Sequence, residues 1–144
     1  MRIQKRRRRE RKTDYKARKV MLSSGIPRIV VRKSNRYIKT QLIKSEAAQD
    51  SVIANISSKE LLDYGWPKEM PGSLKSIPAA YLTGILLGGK TIDKNKEAIL
   101  DIGLARNIHG SRIYAVLNGL QEAGIKINFN KNVLPKEERL KGKH

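Results

Sequence analysis

The 144-residue sequence has no cysteine, two histidines (His109 and His144) and only 13 carboxylate side chains. Without cysteine there is no disulfide, no thiol nucleophile and no cysteine-ligated zinc, and two histidines are too few for a histidine metal cluster. No metal and no cofactor is expected. Long apolar runs are also missing. The longest uncharged stretch, residues 76–89, is interrupted by glycines and falls short of the roughly 18 apolar residues that span a membrane. No apolar segment follows the basic start, as a secretory signal would require. The expectation is a cytosolic protein with no membrane partner. Hydrophobic residues make up 39%, below the roughly 45–50% of an ordinary globular chain. A modest core is therefore expected, within one domain that leaves some residues outside it.

Basic side chains are what the sequence has in excess. Its 31 Lys and Arg give a formal charge of +18 and a pI near 10.4. Residues 1–44 hold 17 basic and 2 acidic side chains, residues 45–134 hold 10 and 9, and residues 135–144 hold 4 and 2. Cations crowded into one third of a chain repel one another. Their natural partner is a polyanion that releases condensed counterions when it is bound, so nucleic acid leads the candidates.

The run Arg6-Arg7-Arg8-Arg9 opens a basic segment that ends at Gly25 and Pro27. Helix formers in its second half, with Val20 and Met21 as apolar anchors, predict a basic helix with a mobile start. Taken alone, an arginine run reads equally as a solvated tail or a localisation signal. Its continuation favours binding. After Pro27 the period becomes two, with Ile29 and Val31 on one face and Arg28, Val30 and Arg32 on the other. Ser34-Asn35 supplies a turn, and the return strand places Ile38 and Leu42 inward and Tyr37, Lys39 and Gln41 outward. The outward face resembles an RNA-binding sheet: Arg and Lys for phosphate, Gln for sugars or base edges, Tyr37 to stack on an unpaired base.

Residues 50–56 read as a third strand with Val52, Ala54 and Ile56 on one face, and Ser57-Ser58-Lys59-Glu60 as a capping box. Pro78 starts an apolar helix to about Lys90, in which Gly84 and Gly88 allow a close approach to a sheet. Residues 98–104 read as a central strand covered on both sides. Ser111 caps a helix ending at Gly124, residues 125–129 suggest a last strand, and residues 135–144 form a polar tail that orders only against a partner. The expected fold is an α/β three-layer sandwich with a mixed sheet and a basic N-terminal helical extension. Its divisions are the extension (residues 1–25), a globular domain (26–130) and a polar tail (131–144).

Two enzymatic alternatives arise. Gly84-Ile85-Leu86-Leu87-Gly88-Gly89-Lys90-Thr91 matches the phosphate-loop pattern G-x-x-x-x-G-K-[ST] of nucleotide hydrolases. Its context is wrong, because Lys90 and Thr91 fall at a helix end, where carbonyls repel phosphate. A metal-dependent nuclease needs several carboxylates converging on two divalent ions. The first strand has no acid, and nothing in their spacing brings Asp50, Asp93 and Asp101 together. His109 reads as a loop or RNA-contact residue. Gly110, Ser111 and Arg112 can hold a phosphate at a helix start, although capping alone also explains Ser111. The chain is not expected to be an enzyme.

Several blocks closely resemble the archaeal form of the large-subunit ribosomal protein L-eighteen family, the 5S rRNA-binding proteins. They are residues 6–15, 27–36, 79–84, 98–104, 110–117 and 134–142, in that order along most of the chain. The resemblance implies a ribonuclease H-like topology without catalysis. It also implies a place in the central protuberance of the cytoplasmic large subunit. There the protein would bridge 5S rRNA to large-subunit rRNA beside neighbouring ribosomal proteins, including the other 5S rRNA-binding one. The candidate RNA-binding set combines both readings: Arg6, Arg7, Arg8, Arg9, Arg11, Lys12, Tyr15, Arg18, Arg28, Arg32, Lys33, Ser34, Asn35, Arg36, Tyr37, Lys39, Gln41, Ser111 and Arg112.

Overall fold

Alternating polarity after Pro27 yields the expected hairpin. In the computed structural model, which describes residues 3–47 and 49–143, β1 (Arg28–Lys33) and β2 (Ile38–Glu46) pair antiparallel. Ile29 lies opposite Leu42, Val31 opposite Thr40 and Arg32 opposite Lys39. Ser34 closes the turn, its hydroxyl donating to the Tyr37 carbonyl and accepting from the Tyr37 N–H, both at 2.9 Å. β3 (Gln49–Ser57) adds antiparallel to β2, and β4 (Ile99–Asp101) adds parallel to β1. The mixed four-stranded sheet has the order β3-β2-β1-β4.

Three strand expectations are corrected. β4 is a three-residue edge strand, not a central one, because among the described residues no strand pairs with its outer side. Residues 125–129 make a single bridge, in which the Lys126 N–H donates to the Lys96 carbonyl at 2.7 Å and the Ala98 N–H to the Lys126 carbonyl at 3.0 Å. The chain then leaves for a 3₁₀ turn at Lys131–Val133, capped by the Asn130 side chain. In β3, a bulge facing Leu42 and Ile43 adds one residue and so inverts the alternation. Ile53 therefore packs on the core and Val52 is turned out, 54% exposed.

α3 (Ile77–Thr91) starts where Ser76 accepts from the Ala79 N–H at 3.3 Å and Pro78 occupies the first turn. α4 (Arg112–Glu122) packs beside it, and both lie on one sheet face, α3 over β2 and β3, α4 over β1. Ile29, Val31, Leu42 and Ile56 meet Ala80 and Leu87 of α3 and Ile113, Val116 and Leu120 of α4 in one buried cluster. Gly84 and Gly88 serve this helix pair, not a helix-to-sheet approach. A Cβ on Gly84 would lie 2.2 Å from the Val116 carbonyl oxygen, and one on Gly119 of α4 would lie 2.1 Å from the Tyr81 carbonyl oxygen. The Tyr81 hydroxyl donates to the Glu122 carboxylate across the same contact, and that bond, followed by burial, pushes the phenol pKa up to about 12. The capping box forms as its spacing predicts, over a 3₁₀ helix at Ser58–Tyr64.

The N-terminal residues form two helices, α1 (Arg6–Arg9) and α2 (Tyr15–Ser23). Asp14 caps α2 by accepting from the Lys16 and Ala17 N–H groups, and Gly25 (φ 68°) follows its end. No residue of α2 is buried. Val20 is 65% exposed and anchors nothing, and half-buried Met21 is the residue turned toward the sheet. The C-terminal segment is docked on the body, contrary to the expected free tail. It forms α5 (Glu137–Leu140), with Leu140 against the main core and Val133 and Pro135 buried. His144 lies outside the described residues. Among those described, no helix is long and apolar enough to cross a membrane.

Backbone-to-backbone contact at Gly84 leaves no room for a methyl group. Gly84→Ala should cost about 1–3 kcal/mol by overpacking. Gly89→Ala, which points into open space in the same helix, should be neutral or stabilise by up to about 1 kcal/mol. Urea unfolding of both variants checks the contrast.

Candidate nucleic-acid interface

The outer face of the hairpin is not simply a cationic surface. Arg28 is 3% exposed, and Val30 and Ile43 beside it are also buried. A buried guanidinium is tolerated only with countercharges, and two reach it: Arg28 Nη1 donates to Asp101 at 2.8 Å and Nη2 to Asp50 at 3.1 Å. Each carboxylate also holds a second arginine, Asp50 binding Arg18 of α2 at 3.1 Å and Asp101 binding Arg32 at 3.2 Å. Five alternating charges thus run from α2 across the sheet to the end of β1. The carboxylates that showed no convergent spacing do converge, on an arginine, while Asp93 takes no part. Asp50 is held below the ordinary carboxylate range, first by the Ser45 hydroxyl at 2.5 Å and then, against the opposing effect of burial, by Arg28 and Arg18.

Arg32 remains half open to solvent. Its Nη1 donates to the Val31 and Asp101 carbonyls, both at 2.9 Å, which fixes the guanidinium plane. Gly103 (φ 62°) lets the backbone lie against that plane, where a Cβ would sit 2.8 Å from Arg32 Cζ. The Gly103 N–H donates to Asp101 at 2.9 Å, so one carboxylate orders both sides of the contact.

Around this network lies a groove of about 500 Å³ between α2 and the sheet, lined by Arg7, Lys12, Arg18, Arg28, Arg32, Asp101 and Met21 among others. The residues of α1 are all exposed. Glu10 serves both Arg6 (3.8 Å) and Lys12 (3.0 Å), Arg7 donates to Thr13 at 2.8 Å, and Arg8 and Arg9 have no ion-pair partner among the described residues. Arg11 takes a left-handed backbone (φ 54°) at the bend between the helices.

The other candidates fall into distinct places. Tyr15 has the Lys5 ammonium 4.6 Å from its ring centroid, so one ring face is occupied. Lys33, Asn35 and Arg36 stand exposed at the hairpin turn, Ser34 is used within it, and Lys39 and half-buried Gln41 follow on the outer face. Tyr37 does not join them. Half-buried, it packs against the small second core of Leu61, Leu74 and Ala79. Ser111 and Arg112 lie with α4 on the opposite side of the sheet, away from the N-terminal groove. Sequence reasoning missed the organising roles of Asp50 and Asp101.

The phosphate-loop match is part of a helix. Thr91 is buried with its hydroxyl donating to the Leu87 carbonyl at 2.8 Å, and Lys90 pairs with Glu60 at 3.2 Å. Among the described residues no group of three or more His, Asp or Glu is placed to hold a metal ion. The arrangement can attract and orient a polyanion. It defines an α/β scaffold with a cationic groove on one side of its sheet.

Comparison with known proteins agrees. Residues 1–98 match a family model described as ribosomal large subunit proteins 60S L5 and 50S L18. The chain is 50% identical over 140 residues to the large ribosomal subunit protein uL18 of Methanoculleus marisnigri, covering 96% of this chain and 78% of that one. To the uL18 of Korarchaeum cryptofilum it is 48% identical, covering 96% and 70%, and to that of Methanothrix thermoacetophila 44%, covering 98% and 82%. The chain belongs to this family of large-subunit ribosomal proteins, which are structural constituents and not enzymes.

Removing Arg28 strands a buried carboxylate. Arg28→Met should cost near the lower end of the roughly 3–5 kcal/mol typical of breaking a buried pair, because Arg32 stays beside Asp101. Chemical denaturation measures it. The lowered folded pKa of Asp50 has a definite sign: its stabilising contribution is complete above the unfolded value near 3.8 and is lost as pH falls through the folded value. Asp50→Asn should therefore flatten the acid limb of the stability profile between pH 5 and 2, roughly the window in which such a carboxylate titrates.

Proposed function

We propose that this protein binds 5S rRNA and anchors it to large-subunit rRNA in the central protuberance of the cytoplasmic ribosome, beside the other 5S rRNA-binding protein. The observation that carries the reading is the concentration of 17 basic against 2 acidic side chains in residues 1–44, most of them exposed along α1, α2 and the hairpin. Arg6, Arg7, Arg8, Arg9, Arg11 and Lys12 supply the phosphate contacts, and Arg36 and Lys39 continue them along the hairpin. Arg32, fixed in plane by Asp101, is suited to a bidentate contact with a phosphate or a base edge. Gln41 and Asn35 supply neutral hydrogen bonds. Arg28 and Arg18 act indirectly by holding α2 against the sheet.

On this reading residues 1–25 are an RNA-binding extension and residues 26–130 the globular domain, with the segment that the sequence reads as a tail (131–144) docked on it through Val133 and Leu140. Three antiparallel strands followed by a strand parallel to the first support a ribonuclease H-like topology. The nuclease chemistry of such folds has no counterpart here, since Asp50 and Asp101 are consumed by arginines.

The test is a salt titration of the full chain on 5S rRNA and on an unrelated duplex. Binding should favour 5S rRNA and weaken steeply with salt, each neutralised phosphate adding about 0.9 to the log–log slope on duplex. Arg6, Arg7, Arg8 and Arg9 changed together to Gln should flatten the slope by up to about 3–4. No preference for 5S rRNA refutes the reading, and an unchanged slope removes the arginine block from the interface.

A further inference from the structure

A second cationic groove lies on the side of the sheet away from α2. It occupies about 550 Å³ between the hairpin turn, the N-terminal ends of α3 and α4, and α5, and its lining includes Lys33, His109, Ser111, Arg112 and Arg139 but no carboxylate. Among the described residues Lys33, Arg112 and Arg139 have no ion-pair partner. Three uncompensated cations around one concavity form a focused positive potential.

The backbone adds to it. The first residues of two helices, of 15 and 11 residues, line the groove, and helix N-termini carry partial positive charge. Ser76 caps α3, but Ser111, at the capping position of α4, makes no cap hydrogen bond. Its hydroxyl oxygen is sealed from solvent without a partner, a state that costs free energy. The opening amides of α4 are thus left without a side-chain acceptor, in a groove that has cations and no anion. Arg139 is brought to the rim by α5 and reaches the Gly110 carbonyl only at 3.5 Å, so its guanidinium is not consumed there.

We propose that this groove seats one or two backbone phosphates of ribosomal RNA, making the docked C-terminal segment part of the binding surface through Arg139. The inference rests on the ribosomal RNA-binding reading above and extends it to a second face. Arg32 and Lys33 are consecutive on β1 and point to opposite faces, so the end of one strand delivers a cation to each groove. RNA held at the hairpin turn meets positive potential on both sides of the sheet.

The experiment uses the full chain with Lys33, Arg112 and Arg139, all exposed, changed together to Gln, and a control in which exposed Lys59, Lys68 and Lys75 are changed to Gln. Binding is titrated against salt on 5S rRNA and separately on large-subunit rRNA, with circular dichroism melting as the check on folding. If folding is perturbed, Lys33→Gln alone is used. The groove variant should lower the log–log slope by about 1–2 on at least one RNA, and the control should leave it unchanged. Equal slopes for wild type and groove variant on both RNAs overturn the groove as a phosphate site, whatever the arginine-block variant does. An equal loss in the control overturns it too, since only total charge would then matter. A wild-type chain that binds neither RNA refutes the underlying reading and takes the groove with it.

Discussion

Arg28 is the residue on which the outer side of the sheet depends. It sits inside the protein between Asp101 and Asp50, and each carboxylate passes the charge on to a more exposed arginine, Arg32 or Arg18. A guanidinium at that depth would be expelled without both partners. Its presence therefore dictates that Asp50, at the start of β3, and Asp101, at the end of β4, lie over the same spot on β1. Non-local geometry is specified by charge as much as by apolar burial. The same chain of pairs ties α2, which buries nothing of its own, to the sheet.

This division of labour explains how so basic a chain folds. The apolar face of the sheet and the α3–α4 pair form an ordinary core. Two of the nine acidic groups of the middle section, Asp50 and Asp101, are spent on the buried Arg28. The remaining cations stay outside, where repulsion is screened by solvent until a polyanion arrives. Family membership and geometry agree on a scaffold whose carboxylates neutralise arginine and do no chemistry.

Much of this was legible in the sequence, because short-range rules govern it. The hairpin followed from period-two alternation around Ser34-Asn35, the Ser57–Glu60 box from its spacing, and α3 and α4 from Pro78 and the Ile113, Val116, Leu117, Leu120 periodicity. What escaped depends on long-range contact. No local pattern tells an outward arginine from one destined for two distant aspartates, so Arg28 read like Arg32. Tyr37, one residue before β2, read as a stacking platform because the small core that captures it comes from residues 61–74. A single inserted residue in β3 reversed Val52 and Ile53. The tail looked free because Leu140 is a lone apolar residue among charges, and only the finished body offers it a seat.

The crossing at Gly84 and Gly119 has a bearing on how such a surface is used. Where main chain rests directly on main chain, α3 and α4 cannot slip past each other by rotamer adjustment. The separation between their N-terminal mouths is therefore set during folding, like the jaws of a fixed gauge. A rigid backbone geometry of this kind can select among RNA conformers by shape, and the entropy of arranging it is spent before the particle assembles.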